Sequence, residues 1–97
     1  MVTEFAQFTA QPGEADALEK GLRAGMAVIQ GADGCRGVRL RRCVEEPTVF
    51  AYEIEWETLE HHVVTFRGGP LFAEYRAHIN GLFVEPVNVR HYEHLTG

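Results

Sequence analysis

CRGVRLRRCVEEPTVFAYEIEW, residues 35–56, is two runs of alternating residues joined by a turn. Over 35–44, Val38, Leu40 and Val44 fall on one side and Arg39 and Arg41 on the other, the period of two that marks a strand with one buried face. Glu45-Glu46-Pro47 turns the chain. Over 48–56 the apolar side is Phe50, Tyr52, Ile54 and Trp56. Glu53 and Glu55 take the opposite side, where they are expected to meet Arg39 and Arg41 as opposite charges across the pair. The stretch reads as an antiparallel hairpin.

Upstream, residues 2–10 read as a strand containing Phe5 and Phe8, broken by Gln11-Pro12-Gly13. Pro12 has the φ that a first helical turn wants. Over 14–30, Ala15, Leu18, Leu22, Met26 and Ile29 recur at spacings of three and four, which defines one face of a helix. Gly21 and Gly25 each cost that helix about 1 kcal/mol against alanine, so a close approach to the sheet is expected there. Gly31 to Gly34 ends it. Downstream of the hairpin come two helical stretches, 58–67 and 70–83, separated by Gly68-Gly69; Pro86 then limits the second, and 87–95 reads as a closing strand. The order is β-α-β-β-α-β with the second helix broken in two, a ferredoxin-like α+β domain on an antiparallel sheet. Helices cover one face of such a sheet. The other face, mixed in character, is expected to pair with the same face of a second copy, giving a homodimer.

At 97 residues, 1–97 has room for a single core and hence a single domain. A hydrophobic fraction of 45% and a charged fraction of 24% place it among ordinary globular proteins. No apolar run reaches the ~18 residues that span a bilayer, and MVTEFAQFTA lacks the basic and apolar regions of a secretory signal; no membrane association and a cytoplasmic location are expected. Net charge is −5 and the one basic cluster, Arg39, Arg41 and Arg42, has Glu45 and Glu46 beside it, so nucleic-acid binding is not expected. Cys35 and Cys43, eight apart on one strand, are too distant to bridge and read as buried reduced thiols.

No phosphate loop, dinucleotide fingerprint, paired CxxC or nucleophile elbow is present. Any site must come from polar residues that face inward. Leu59, Val63 and Phe66 define the buried face of the helical stretch at 58–67, and His62 falls on that face while His61 falls outside it with Thr58 and Thr65. His62 is either a core histidine satisfied by a carbonyl or a general base in an apolar pocket. Leu71, Phe72, Tyr75, Ile79, Leu82 and Phe83 make the next apolar stripe. Arg76 stands at its edge, able to reach inward or to snorkel outward. Tyr52 and Trp56 lie on the covered strand face, as core or as the wall of an aromatic cavity of the kind that takes small molecules. His91 and His94, three apart on a strand, point to opposite faces and would bind a metal poorly together. No metal site is expected.

Gly34-Cys35-x-Gly37, Arg42-Cys43-x-Glu45-x-Pro47, Trp56-Glu57-Thr58, Phe66-Arg67-Gly68-x-Pro70-x-Phe72 and Tyr75-Arg76 together resemble antibiotic biosynthesis monooxygenase domains over nearly the whole chain. The resemblance implies a dimeric α/β barrel. It also implies an oxygenase without flavin, haem or metal, with molecular oxygen as co-substrate, that oxidises an electron-rich polycyclic aromatic or quinol-type metabolite. Members that oxidise polyketides build their site from an asparagine, a tryptophan, a tyrosine and an arginine. Trp56 and Arg76 match two of these; Tyr52 stands for the asparagine and His62 for the tyrosine. The implied roles are His62 as base, Arg76 and Tyr52 as oxyanion donors, and Trp56 with Phe66, Phe72 and Tyr75 against the substrate. The haem-degrading branch needs an asparagine on the first strand and a histidine on the last helix; Gln7 stands near the first and His78 is two positions out of register with the second. A cyclase or isomerase on the same scaffold, and a non-catalytic ligand-binding dimer, remain the alternatives.

Overall fold

The computed structural model describes residues 1–97. Strand β1 (Val2–Thr9) leads to helix α1 (Ala15–Gln30), then to β2 (Cys35–Arg42) and β3 (Val49–Trp56). A π-helical segment (His61–Phe66), helix α2 (Pro70–Ala77) and β4 (Asn88–Glu93) follow. The four strands form one antiparallel sheet in the order β2-β3-β1-β4. This is the ferredoxin-like order expected from the hairpin and its flanks. No helix is long and apolar enough to cross a membrane.

The alternation in β3 is realised residue by residue: Phe50, Tyr52, Ile54 and Trp56 are buried beneath the helices with Leu18, Leu22 and Ile29 of α1. In β1 the even positions Ala6 and Phe8, with Ala10 just after the strand, join them, whereas Phe5 turns to the uncovered face and packs edge-on against Tyr92 of β4 at 5.4 Å. Burying a side chain the size of Leu or Phe contributes about 1.5–3 kcal/mol, so this single layer of contacts carries most of the fold.

Several expectations are corrected. Val44 lies beyond the end of β2 and is 87% exposed, because pairing with β3 stops at Arg42. Of the expected cross-strand charges only Arg41 and Glu53 meet, at 2.7 Å; Glu55 instead accepts from Thr3 and lies 3.1 Å from His94. The closing strand is trimmed from 87–95 to Asn88–Glu93. Both cysteines are free, but they are half-buried rather than buried. Helix α2 ends at Ala77, not residue 83: Ile79, Asn80 and Leu82 bond back through tight turns, and Gly81 sits at φ +81°. Ile79 and Phe83 still reach the core from those turns.

Gly25 packs against the Tyr52 hydroxyl and Tyr75, at the junction of sheet and α2. Gly21 meets α2's exit rather than the sheet: a Cβ there would fall on the His78 carbonyl oxygen, far inside contact distance. Overpacking typically costs about 1–3 kcal/mol, against a gain of about 1 kcal/mol in helix propensity. With backbone as the obstacle the clash wins. Gly21→Ala is expected to lower the melting temperature by several degrees in a thermal scan; an unchanged or raised midpoint would mean α1 and α2 are not in this contact.

Candidate active site

Glu4 sits in β1 with its Cα opposite Ile54 on one side and His91 on the other. An even position on this strand faces the helices, so the carboxylate is forced under them and is only 4% exposed. Trp56, at the end of β3, donates its indole N–H to Glu4 Oε1 at 2.9 Å. The His62 ring lies nearly parallel to the indole, 5.2 Å away, and its Nε2 is 3.4 Å from Glu4 Oε1. The other ring nitrogen, Nδ1, is 2.6 Å from His91 Nε2. Trp56, Glu4, His62 and His91 therefore form one polar chain from the core to the half-buried edge strand β4.

His62 reaches this position because the segment expected as an α-helix over 58–67 is wound as a π-helix. The Arg67 N–H bonds the His62 carbonyl five residues back, a geometry found disproportionately at functional sites. His62 and Phe66 are buried, while Leu59, expected on the inner face, is 39% exposed before the segment begins. His61 is turned outward and bonded to Thr58.

These groups border a cavity of about 160 Å³. Glu4, His62, Arg67 and Arg76 are its polar wall, and Phe66, Phe72, Tyr75 and Tyr52 its aromatic wall. Arg76 packs its guanidinium over Phe72 and Phe83 and touches Glu85 at 3.3 Å, but its Nε–H is buried with no acceptor. Arg67 makes no ion pair. Tyr52 is fully buried and its hydroxyl is already donated to the Leu22 carbonyl, which leaves it no free donor for a substrate. Trp56 lies behind His62 and Glu4 rather than on the cavity surface, so it holds Glu4 instead of forming a wall. Gln7 is exposed on the uncovered sheet face and His78 follows α2, neither bordering the cavity.

Burial governs the charges. Desolvation pushes the Glu4 carboxyl up to about 7, opposed by the Trp56 hydrogen bond and by Arg67. Desolvation, with the like charges of Arg67 and His91, holds His62 down to about 3, and His91 is lowered by burial and Arg67. Burial also raises the Tyr52 and Tyr75 phenols far above their ordinary value. The group poised near neutrality is thus Glu4, with His62 neutral beside it. Sequence patterning points to His62, Arg76 and Tyr52 and passes over Glu4, whose inward register with Ala6 and Phe8 is seen in the fold.

Glu4, His62 and His91 can each offer a ligand atom, the three lying within 4.8 Å of one another. Two imidazole nitrogens on one tetrahedral ion at 2.0–2.1 Å stand about 3.3 Å apart. The 2.6 Å separation of His62 and His91 is that of a hydrogen bond.

The model of the family described as "Antibiotic biosynthesis monooxygenase" matches residues 1–78. YczJ, an uncharacterized protein of Bacillus subtilis, is 30% identical over 93 residues, 96% of this chain and 98% of that protein. A solved Bordetella bronchiseptica structure bearing the same family name superposes with a TM-score of 0.91 at 33% identity, covering 98% of this chain and 97% of that one. Rv0793 of Mycobacterium tuberculosis gives a TM-score of 0.82 at 25% identity, over 99% and 96%.

Proposed function

The chain belongs to the antibiotic biosynthesis monooxygenase family, and from that premise we propose that it is a cofactor-independent monooxygenase of small, single-ring quinols. The observation that carries the reading is a carboxyl poised near neutrality, Glu4, in the wall of an aromatic cavity that also holds two arginines. Glu4 takes the proton of a ring hydroxyl. Arg76, through its unpartnered Nε–H, and Arg67 stabilise the phenolate that forms, and the aromatic wall keeps water out. The phenolate itself then reduces O₂. For a hydroquinone, one oxygen atom bonds to a ring carbon and the O–O bond breaks. The other oxygen leaves as water with two hydrogens from the ring and its hydroxyls, giving a hydroxyquinone.

Size separates the two substrate classes that the family resemblance implied. A cavity of about 150 Å³ accommodates a single benzene ring, and the one here is about 160 Å³, which favours one ring over three fused ones. Oxygen uptake by chelator-treated protein is expected with methyl- or methoxyhydroquinone and not with anthrones. Uptake with anthrones alone would reject the size argument. Turnover of an α-proton donor without oxygen consumption would move the protein to the isomerase reading, which uses the same base.

We also propose a homodimer through the uncovered sheet face. There Phe5 and Tyr92 are 40% and 51% exposed on a four-stranded sheet whose other face carries the helices, and an exposed aromatic pair among charged neighbours suits a self-complementary contact. Light scattering at micromolar concentration is expected to give twice the mass of 10.9 kDa, and a monomer would refute it.

A further inference from the structure

We propose that His91 is the outlet through which the proton taken by Glu4 leaves the site, passed on by His62. The inference rests on the reading of Glu4 as the base. A buried base must be emptied after each turnover, and Glu4 lies beneath the helices bordered by Trp56, by His62 and by the cavity that the substrate fills. His62, also buried, has its two ring nitrogens aimed at different partners, Nε2 toward Glu4 and Nδ1 toward His91. A neutral imidazole carries one N–H and one acceptor, so this arrangement can accept a proton at one end and release one at the other. His91 is half-buried on the edge strand, the one member of the chain between the buried pair and the surface. It lies beyond residue 78, where the family match ends.

The transfer balances. With Glu4 protonated, its O–H faces His62 Nε2, His62 donates from Nδ1 to His91 Nε2, and His91 carries its proton on Nδ1. The Glu4 proton passes to His62 Nε2 as the His62 Nδ1 proton passes to His91 Nε2, and the His91 Nδ1 proton leaves to water. Glu4 is then ionised, both histidines are in the opposite tautomer, and no residue has kept a net charge from the transfer beyond the carboxylate. The 3.4 Å between Glu4 and His62 is the one long step, of the kind that tightens when substrate closes a site. The other charged or titratable groups facing the chain are Arg67 after the π-helix, Tyr75 and Arg76 on α2, and the Cys35 thiol at the start of β2, which burial and Glu4 push up.

The test has an arm that needs no substrate. In ¹⁵N-histidine-labelled protein, raising the pH through neutrality is expected to convert His91 from the Nδ1–H to the Nε2–H tautomer, and the conversion is expected to vanish in Glu4→Gln. In the second arm, His91→Gln is expected to turn over at least ten-fold more slowly with KM unchanged and with a rate that now rises with buffer concentration. Imidazole is expected to restore His91→Ala and not His62→Ala. A His91 tautomer indifferent to pH and to Glu4, or wild-type turnover in His91→Gln at low buffer, overturns the proposal. So does stoichiometric zinc binding that is lost in His91→Ala, which would make the trio a ligand set. A tautomer switch in a protein that oxidises no quinol leaves the relay standing and rejects the oxygenase reading instead.

Discussion

Glu4→Gln is expected to reduce quinol turnover by about 10²–10⁴-fold, the range that a positioned general base contributes, while the protein stays folded. Glutamine keeps an oxygen for the Trp56 N–H, fills the same space and cannot take a proton. The loss should fall on kcat rather than on KM, since the aromatic wall and the two arginines that hold the ring are untouched. His62→Gln should be slower as well, but with a different signature. It leaves the base in place and removes its exit, so added buffer should recover part of the rate. Steady-state oxygen uptake for both variants at two buffer concentrations checks this, and a Glu4→Gln protein as active as wild type would remove Glu4 from the chemistry.

The same two substitutions are expected to tilt the pH dependence of stability in opposite directions. The carboxyl of Glu4 rises from 4.5 in the unfolded chain to about 7 in the fold. The folded state therefore binds the proton more tightly, and stability falls as pH rises through that interval. His62 goes from 6.5 to about 3. Here the unfolded state binds the proton more tightly, so stability falls as pH drops from 6.5 toward 3. Each slope is about 1.4 kcal/mol per pH unit, and between 4.5 and 6.5 the two offset each other in the wild type. Glu4→Gln uncovers the histidine slope, so stability relative to wild type should rise by about 2–3 kcal/mol from pH 4.5 to 6.5. His62→Gln uncovers the carboxyl slope and should lose a similar amount over the same span. Urea midpoints at three pH values measure it. Parallel profiles for the two variants would show that the groups are not buried as a pair.

The legible parts of this molecule are those where one periodicity dominates. The hairpin at 35–56 declares itself because every second residue of β3 is a large apolar side chain and the positions between the last three of them, Glu53 and Glu55, are charged, so register and buried face come together. In β1 the pattern is blurred: Phe5 and Phe8 lie on opposite faces, and a glutamate in MVTEFAQFTA reads as a solvent residue although the strand's register sends it inward. The inward facing of His62 was legible because four- and five-residue repeats differ little over six residues. The π-winding was not, since no spacing within 58–67 distinguishes a bond from the Arg67 N–H to the His62 carbonyl from an ordinary α-helical turn. The opposite facing of His91 and His94 followed from strand geometry, but the meeting of His91 with His62 joins residues 29 apart, and no local spacing encodes it. Tyr52 shows the converse limit: its inward direction was clear, whereas the α1 carbonyl that takes its hydroxyl depends on the close approach permitted at Gly25.

The most direct measurement is the affinity for the 4-nitrophenolate anion, read from its violet absorption band, as pH is raised from about 8 to about 10. Its ring is small enough for the cavity, it is inert to oxygen, and in this range it is an anion in solution. Glu4 acting as base beside two arginines predicts that the anion binds wild type together with one proton, which Glu4 takes, so that affinity falls about ten-fold per pH unit above the Glu4 value of about 7, whereas Glu4→Gln binds the anion equally well throughout. An affinity independent of pH in wild type, or the same pH dependence in both proteins, would contradict the account.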